Sequence, residues 1–251
     1  MKTFITFLIL LISFSVTQAQ NPYPQEALVE SEYDNLPKNQ KVNIITFVTA
    51  MEDDEEHPEF LGDFYDAWQN YMHGRKLKKN EKLIVDAKNG YMHYEQDYSD
   101  ADGPGWKGIK EECYWNCSDG KHKLIRENVM FLNDGKPSEG QYDGIQFVLY
   151  DNATRQLNRI WDKQILGIDD TWGYDTSYST DPHTNTAKVK DWLTGEPKTL
   201  TMDEFNKWLD ERPAFEYRLP RQGKNIQLII HTAQGKINKQ LVWDGLKFHV
   251  E

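Results

Sequence analysis

Apolar positions recur along this chain with two different periods, and the change of period maps its organisation. In Pro58–His73, the residues Phe60, Leu61, Phe64, Tyr65, Trp68, Tyr71 and Met72 stand three and four residues apart. That spacing gathers them on one stripe of an α-helix. Pro58 suits the first turn, and Gly74 suits the end. The stripe predicts that Phe64, Trp68 and Tyr71 are buried against a sheet. A second helix is expected after Thr201-x-x-Glu204, a capping box, with Phe205, Trp208 and Leu209 as its stripe and Pro213 as its stop.

From Lys82 onward the period falls to two. Strands are expected at Lys82–Asp86, Tyr91–Tyr98, Gly108–Asn116, Lys121–Phe131, Tyr142–Tyr150 and Arg155–Trp161. Asn89-Gly90, Asp119-Gly120, Asp134-Gly135 and Asp143-Gly144 punctuate them. Such dipeptides supply the positive φ angles of tight hairpins, and short connections mean antiparallel neighbours. Further strands are expected at Ala187–Leu193, Phe215–Leu219, Ile226–Thr232, Ile237–Trp243 and Lys247–Val250. The β-branched run Val42–Val48 also reads as a strand. The fold class is therefore α+β: antiparallel, hairpin-rich sheets with two amphipathic helices packed on them.

The same pattern suggests divisions. Lys2, the apolar run Phe4–Phe14 and the small residues of Thr17-Gln18-Ala19 read as a secretory signal peptide over 1–19. The run is too short to span a bilayer. A proline-containing leader follows at 20–41. A helix plus antiparallel meander is expected over 42–166, and a smaller helix plus hairpin unit over 187–251. Between them, 167–186 is rich in Gly, Asp, Thr and Ser, and reads as a linker or an aromatic loop. This order predicts a periplasmic or secreted protein with no membrane span.

Charge narrows the partners. The chain carries 29 Lys and Arg against 40 Asp and Glu, a net charge of −11. Nucleic acid and anionic membranes reward clustered basic residues, so neither is expected as a partner. No cofactor is expected either. Gly103-Pro-Gly105-Trp-Lys-Gly108 has the letters of a dinucleotide fingerprint, but an acidic stretch precedes it and a strand-like segment follows. A pyrophosphate site needs a strand before and a helix after.

Four groups of residues remain as candidates for chemistry. His93 alternates with Tyr91, Glu95 and Asp97 along one strand face, and Glu111 lies on a neighbouring strand. A His beside carboxylates is the raw material of an acid–base site. Asp97, Asp100 and Asp102 form a loose calcium-like cluster. Tyr98 and Ile109 occupy the positions where a calcium loop needs its first ligand and its bidentate Glu. Cys113 and Cys117 are the only cysteines. A continuous strand would hold their α-carbons roughly 13 Å apart, too far for a disulfide. A curl at Asp119-Gly120 would bring them closer, so a disulfide and two buried thiols both stand open. Last, Trp172, Tyr174 and Tyr178 sit beside Asp and Thr, a composition able to stack on sugar rings or anchor a partner, or to tuck into the core.

The segment Cys113-Tyr-Trp-Asn-Cys-Ser-Asp-Gly-Lys-His-Lys-Leu124, with Leu149-Tyr-Asp-Asn-Ala-Thr-Arg155 and the plain signal peptide, resembles secreted or periplasmic proteins of Bacteroides-type gut bacteria without an assigned function. The resemblance implies an exported location and carries over no catalytic residue. The function expected is an exported soluble binding protein for a glycan, peptide or protein partner. The alternative is a periplasmic hydrolase built on His93, Glu95, Asp97 and Glu111.

Overall fold

The computed structural model describes residues 22–24, 27–29, 33, 35–51, 59–99, 105–138, 146–166, 178–191, 196–211 and 213–251. The expected signal peptide, the Pro58 helix start and the Asp143-Gly144 turn lie outside these residues, as do Asp100, Asp102, Trp172 and Tyr174. The described residues are mostly antiparallel sheet.

The largest sheet has eight strands. Across its width run β1 (Leu28–Val29), β8 (Leu157–Ile160), β7 (Gln146–Asp151), β5 (His122–Asn133), β4 (Lys107–Asn116), β3 (Tyr91–Asp97) and β2 (Glu81–Asp86), with β6 (Lys136–Pro137) on β5. A four-stranded sheet follows the order β12 (Ala214–Arg218), β13 (Ile226–Thr232), β14 (Gly235–Trp243), β15 (Phe248–Val250). A three-stranded sheet has the order β11 (Pro197–Thr201), β10 (Thr186–Lys190), β9 (Ser179–Asp181). The turn dipeptides act as their chemistry demands. Asn133 pairs with Lys136, and the two residues between them, Asp134 and Gly135, both take positive φ (49° and 72°). That is the tight loop whose twist matches a hairpin.

Alternation along β3, β4 and β5 divides the large sheet into two faces. One face carries Met92, Tyr94 and Val129 beneath helix α2 (Glu59–Met72), with Ile125 and Val148 beneath α1 (Ile44–Met51). The other carries Tyr91, Cys113, Trp115, Leu124 and Phe147, which meet Tyr217, Leu228, Leu241 and Phe248 of the four-stranded sheet. The large sheet is thus a middle layer, covered by helices on one side and by a second sheet on the other. Two further helices are α3 (Asp162–Leu166) and α4 (Met202–Asp210).

Helix α2 buries Phe60, Phe64, Ala67 and Trp68 as its stripe requires. Tyr71 does not follow the expectation. It is 40% exposed, at the end of the helix, and lies flat over Trp68 with ring centroids 5.4 Å apart. The helix also dictates a glycine in the sheet below. A Cβ on Gly108 would lie 2.4 Å from the Phe60 ring. Gly108→Ala should therefore lower stability by about 1–3 kcal/mol through overpacking. Gly62, whose added Cβ meets nothing within 4 Å, should respond with the opposite sign, since alanine is the better helix former. Urea unfolding of both variants checks the pair. Equal effects would show that Phe60 moves aside freely.

Val42–Val48 is not a strand; Ile44–Met51 is α1. Asn43 caps it, its Oδ1 accepting the N–H groups of Ile45 at 2.9 Å and Thr46 at 3.3 Å. Ile44, Phe47, Val48 and Met51 are all buried, a spacing of three, four and seven. Burial of that stripe outweighs the strand preference of its β-branched residues.

The cores also cut across the expected 187–251 unit. Residues of β12–β15 share one core with the large sheet. A separate small core joins Ala187 and Val189 of β10 to Phe205 of α4, with Leu200, Met202 and Trp208 packed against it. The capping box of α4 is present in both directions: Glu204 N–H donates to the Thr201 hydroxyl, and the Glu204 carboxylate accepts the Thr201 N–H.

Candidate functional site

Pairing of β3 with β4 sets His93 directly opposite Glu111. His93 Nδ1 lies 3.2 Å from Glu111 Oε1, and its Nε2 lies 3.6 Å from Glu95 Oε2. The Tyr91 hydroxyl donates to the same Glu111 oxygen at 2.7 Å. The other carboxylate oxygen accepts the backbone N–H of Leu219, just beyond β12, at 3.1 Å. Asn128 of β5 lies at 3.5 Å from it, and donates at 2.9 Å to the Tyr217 carbonyl. Strand alternation and register alone bring these groups together, and the second sheet closes over them.

The electrostatics follow from that enclosure. Burial opposes the charged form of Glu111. The hydrogen bonds from His93, Tyr91 and Leu219 outweigh it and hold the carboxyl below its usual range. Burial, reinforced by the Glu111 charge, pushes the Tyr91 phenol far up. Glu95 is drawn down first by its hydrogen bond from Lys107, at 2.7 Å. Both imidazole nitrogens of His93 thus face carboxylates. An acid–base role needs a nitrogen aimed at a reacting group.

Asp97 does not join this cluster. Its carboxylate accepts the Ser99 N–H at 2.9 Å, a turn contact that lowers its pKa. Of the calcium-like set, Asp97 alone is described, and no group of three or more His, Cys, Asp or Glu suited to a metal occurs among the described residues. The two cysteines are not bonded to each other: Cys113 and Cys117 are free, buried thiols. Strand β4 runs unbroken to Asn116, and Cys117 N–H continues the ladder to the His122 carbonyl, so the spacing of an extended chain holds. Burial raises both thiols, Cys117 to about 12, which leaves little thiolate for chemistry.

Tyr178 is 52% exposed and rests on Phe205, ring centroids 4.8 Å apart. Phe205 belongs to α4, so this ring points to the helix side of the small unit.

The opposite face of the small sheet is open. Register places Ser179, Lys188 and Thr199 in one row across its three strands, and Asp181, Thr186 and Thr201 in the next. A groove of about 460 Å³ lies on this face, lined by Ser179, Thr180, Asp181, Thr184, Thr186, Lys188 and Thr199. The Thr184 and Thr186 hydroxyls hydrogen-bond each other at 2.8 Å. Asp181 accepts the His183 N–H at 2.9 Å. That contact, with a further hydrogen bond from Thr184, lowers its pKa. Threonine is stiff about χ1, so this floor presents hydroxyls whose positions are largely set before any ligand arrives. The sequence reading missed the groove. The signal for it was the alternation of Thr184, Thr186 and Lys188, split between an irregular stretch and the start of a strand.

No family model matches the chain, and no curated protein and no solved structure matches it.

Proposed function

We propose that this is an exported, non-enzymatic binding protein of the periplasm or cell exterior, and that its ligand lies on the open face of the β9–β11 sheet. One observation carries the reading: a groove of ligand size whose lining is hydroxyl-rich and free of large apolar side chains. The small core under α4 does not use that face. Trp172 and Tyr174, a few residues before β9 in sequence, are included as ring-stacking partners. Export rests on the basic, apolar and small-residue order of residues 1–19; N-terminal sequencing of the secreted product should read from at or near Gln20. The acidic balance supports partners other than nucleic acid or an anionic membrane surface; among the described residues no helix is long and apolar enough to cross a membrane.

A glycan array followed by titration calorimetry tests the site. Thr186→Val with Thr199→Val should reduce affinity for whichever glycan binds by roughly tenfold or more, about one neutral hydrogen bond per hydroxyl. Binding that survives both this pair and replacement of Trp172, Tyr174 and Tyr178 by Ala would place the ligand elsewhere. A hydrolase is kept as a second reading because His93 does meet Glu111 and Glu95. Turnover of a chromogenic glycoside or ester panel, abolished by His93→Asn, would favour it.

A further inference from the structure

We propose that the groove selects acidic carbohydrate, with Lys188 as the residue that reads the negative charge; this rests on the binding reading above. Lys188 is exposed on the central strand of the small sheet, flanked by Ser179 on β9 and Thr199 on β11. It makes no hydrogen bond or ion pair among the described residues, although its charge helps to hold the Asp181 carboxyl down. Lysines nearby are engaged: Lys198 holds Asp191 at 2.5 Å, and Lys190 also has an interaction partner. An ammonium between two hydroxyl side chains is a ready cradle for a carboxylate or sulfate group.

The second row differs. There Asp181, ionised and tied into its turn, lies beside Thr184 and Thr186. A carboxylate accepts hydrogen bonds and repels anions, so this end suits the hydroxyls of a sugar ring. The groove therefore has direction: the acidic group at the Ser179–Lys188–Thr199 row, the neutral hydroxyls at the Asp181–Thr186 row. A peptide ligand fits less well. An extended peptide would pair along an edge strand, β9 or β11, and seat apolar side chains in pockets, whereas the groove lies on the face of the sheet and its lining has no large apolar side chain. The chain's net charge of −11 makes the local cation matter. At physiological salt the screening length is about 8 Å, so an anion at the groove feels Lys188 and Asp181 more than the distant acidic surface, and it gains only when seated at the Lys188 row.

The experiment measures Kd by calorimetry for the full mature chain with four probes: trigalacturonate, a sulfated galactose trimer, neutral galactotriose and a tetraglutamate peptide. Either acidic trimer should bind about tenfold tighter than the neutral one. Lys188→Gln should bring that ratio close to one, and Lys188→Arg should preserve it. Circular dichroism confirms that each variant is folded, and the wild-type ratio stands without any variant. Equal affinity for neutral and acidic trimers would overturn the charge reading and leave the groove as a glycan site. Binding of the peptide alone would overturn the carbohydrate class. Loss of all binding would overturn the groove itself.

Discussion

Trp68→Ala should lower the unfolding free energy by about 3–5 kcal/mol and the melting temperature by roughly 10 °C. The side chain is 1% exposed. Phe64 stacks on one side of the indole and Tyr71 on the other, at centroid distances of 6.3 and 5.4 Å. Its Nε1 donates to the Thr49 hydroxyl at 3.3 Å, which ties α2 to α1 over the sheet. Truncation removes all of this at once. The cavity opens between two rings that cannot both collapse into it, because Phe64 is itself wedged against Tyr94 at 5.3 Å. Tyr71, already 40% exposed, loses the platform it lies on. Trp161 is the internal control. It is 57% exposed, and its alanine variant should fall within about 0.5 kcal/mol of the parent. Urea unfolding followed by circular dichroism reads both. A Trp68→Ala effect no larger than that of Trp161→Ala would mean that the helical layer is not part of the cooperative core.

The contrast between those two tryptophans shows what a linear pattern reveals. Trp68 sits in a seven-residue stripe with helical spacing, and its burial could be read directly from that stripe. The same holds for the meander. Every expected strand from Lys82 to Trp161 and from Phe215 onward has a counterpart, offset by a few residues, because alternation and Asn-Gly or Asp-Gly turns are local facts. What alternation does not encode is which surface a face will meet. Tyr217, Leu228 and Phe248 lie on expected strands, yet nothing in their spacing said that they would share a core with Tyr91 and Phe147, far away along the chain. Val42–Val48 failed for a related reason. Its composition favours a strand, and only burial of Ile44, Phe47 and Val48 by other elements makes it a helix. At the sites, the His93–Glu111 pairing was legible because both lie on predicted adjacent strands. The hydroxyl groove was not, because β9 is three residues long and β11 five, too short for periodicity to register.

Glu111→Gln should cost about 3 kcal/mol at neutral pH, and the cost should shrink as the solution is acidified. The carboxylate serves donors on three different elements: Tyr91 and His93 on β3, Asn128 on β5, and the Leu219 N–H after β12. An amide of the same size has only one acceptor oxygen. Its NH2 group must face either the Leu219 N–H or the Tyr91 hydroxyl, and a buried donor then goes unmet. The pH dependence follows from the direction of the shift. The folded-state pKa of Glu111 lies below the ordinary glutamate value of 4.5, so its contribution is fully present above that value and is lost as pH falls through the depressed one. Glu95 and Asp97, on the same face of β3, are lowered in the same sense, but they hold Lys107 and a turn rather than the second sheet. The wild type should therefore lose stability below about pH 4.5 more steeply than Glu111→Gln, and the two curves should approach one another there. Guanidinium unfolding at several pH values from 7 to 3 measures the gap. A constant gap would mean that the carboxylate's charge contributes nothing. A gap that closes in acid would identify this constellation as the join between the two sheets. Both His93 nitrogens already face carboxylates, so a hydrolytic role for His93 would require one of those contacts to open toward a substrate.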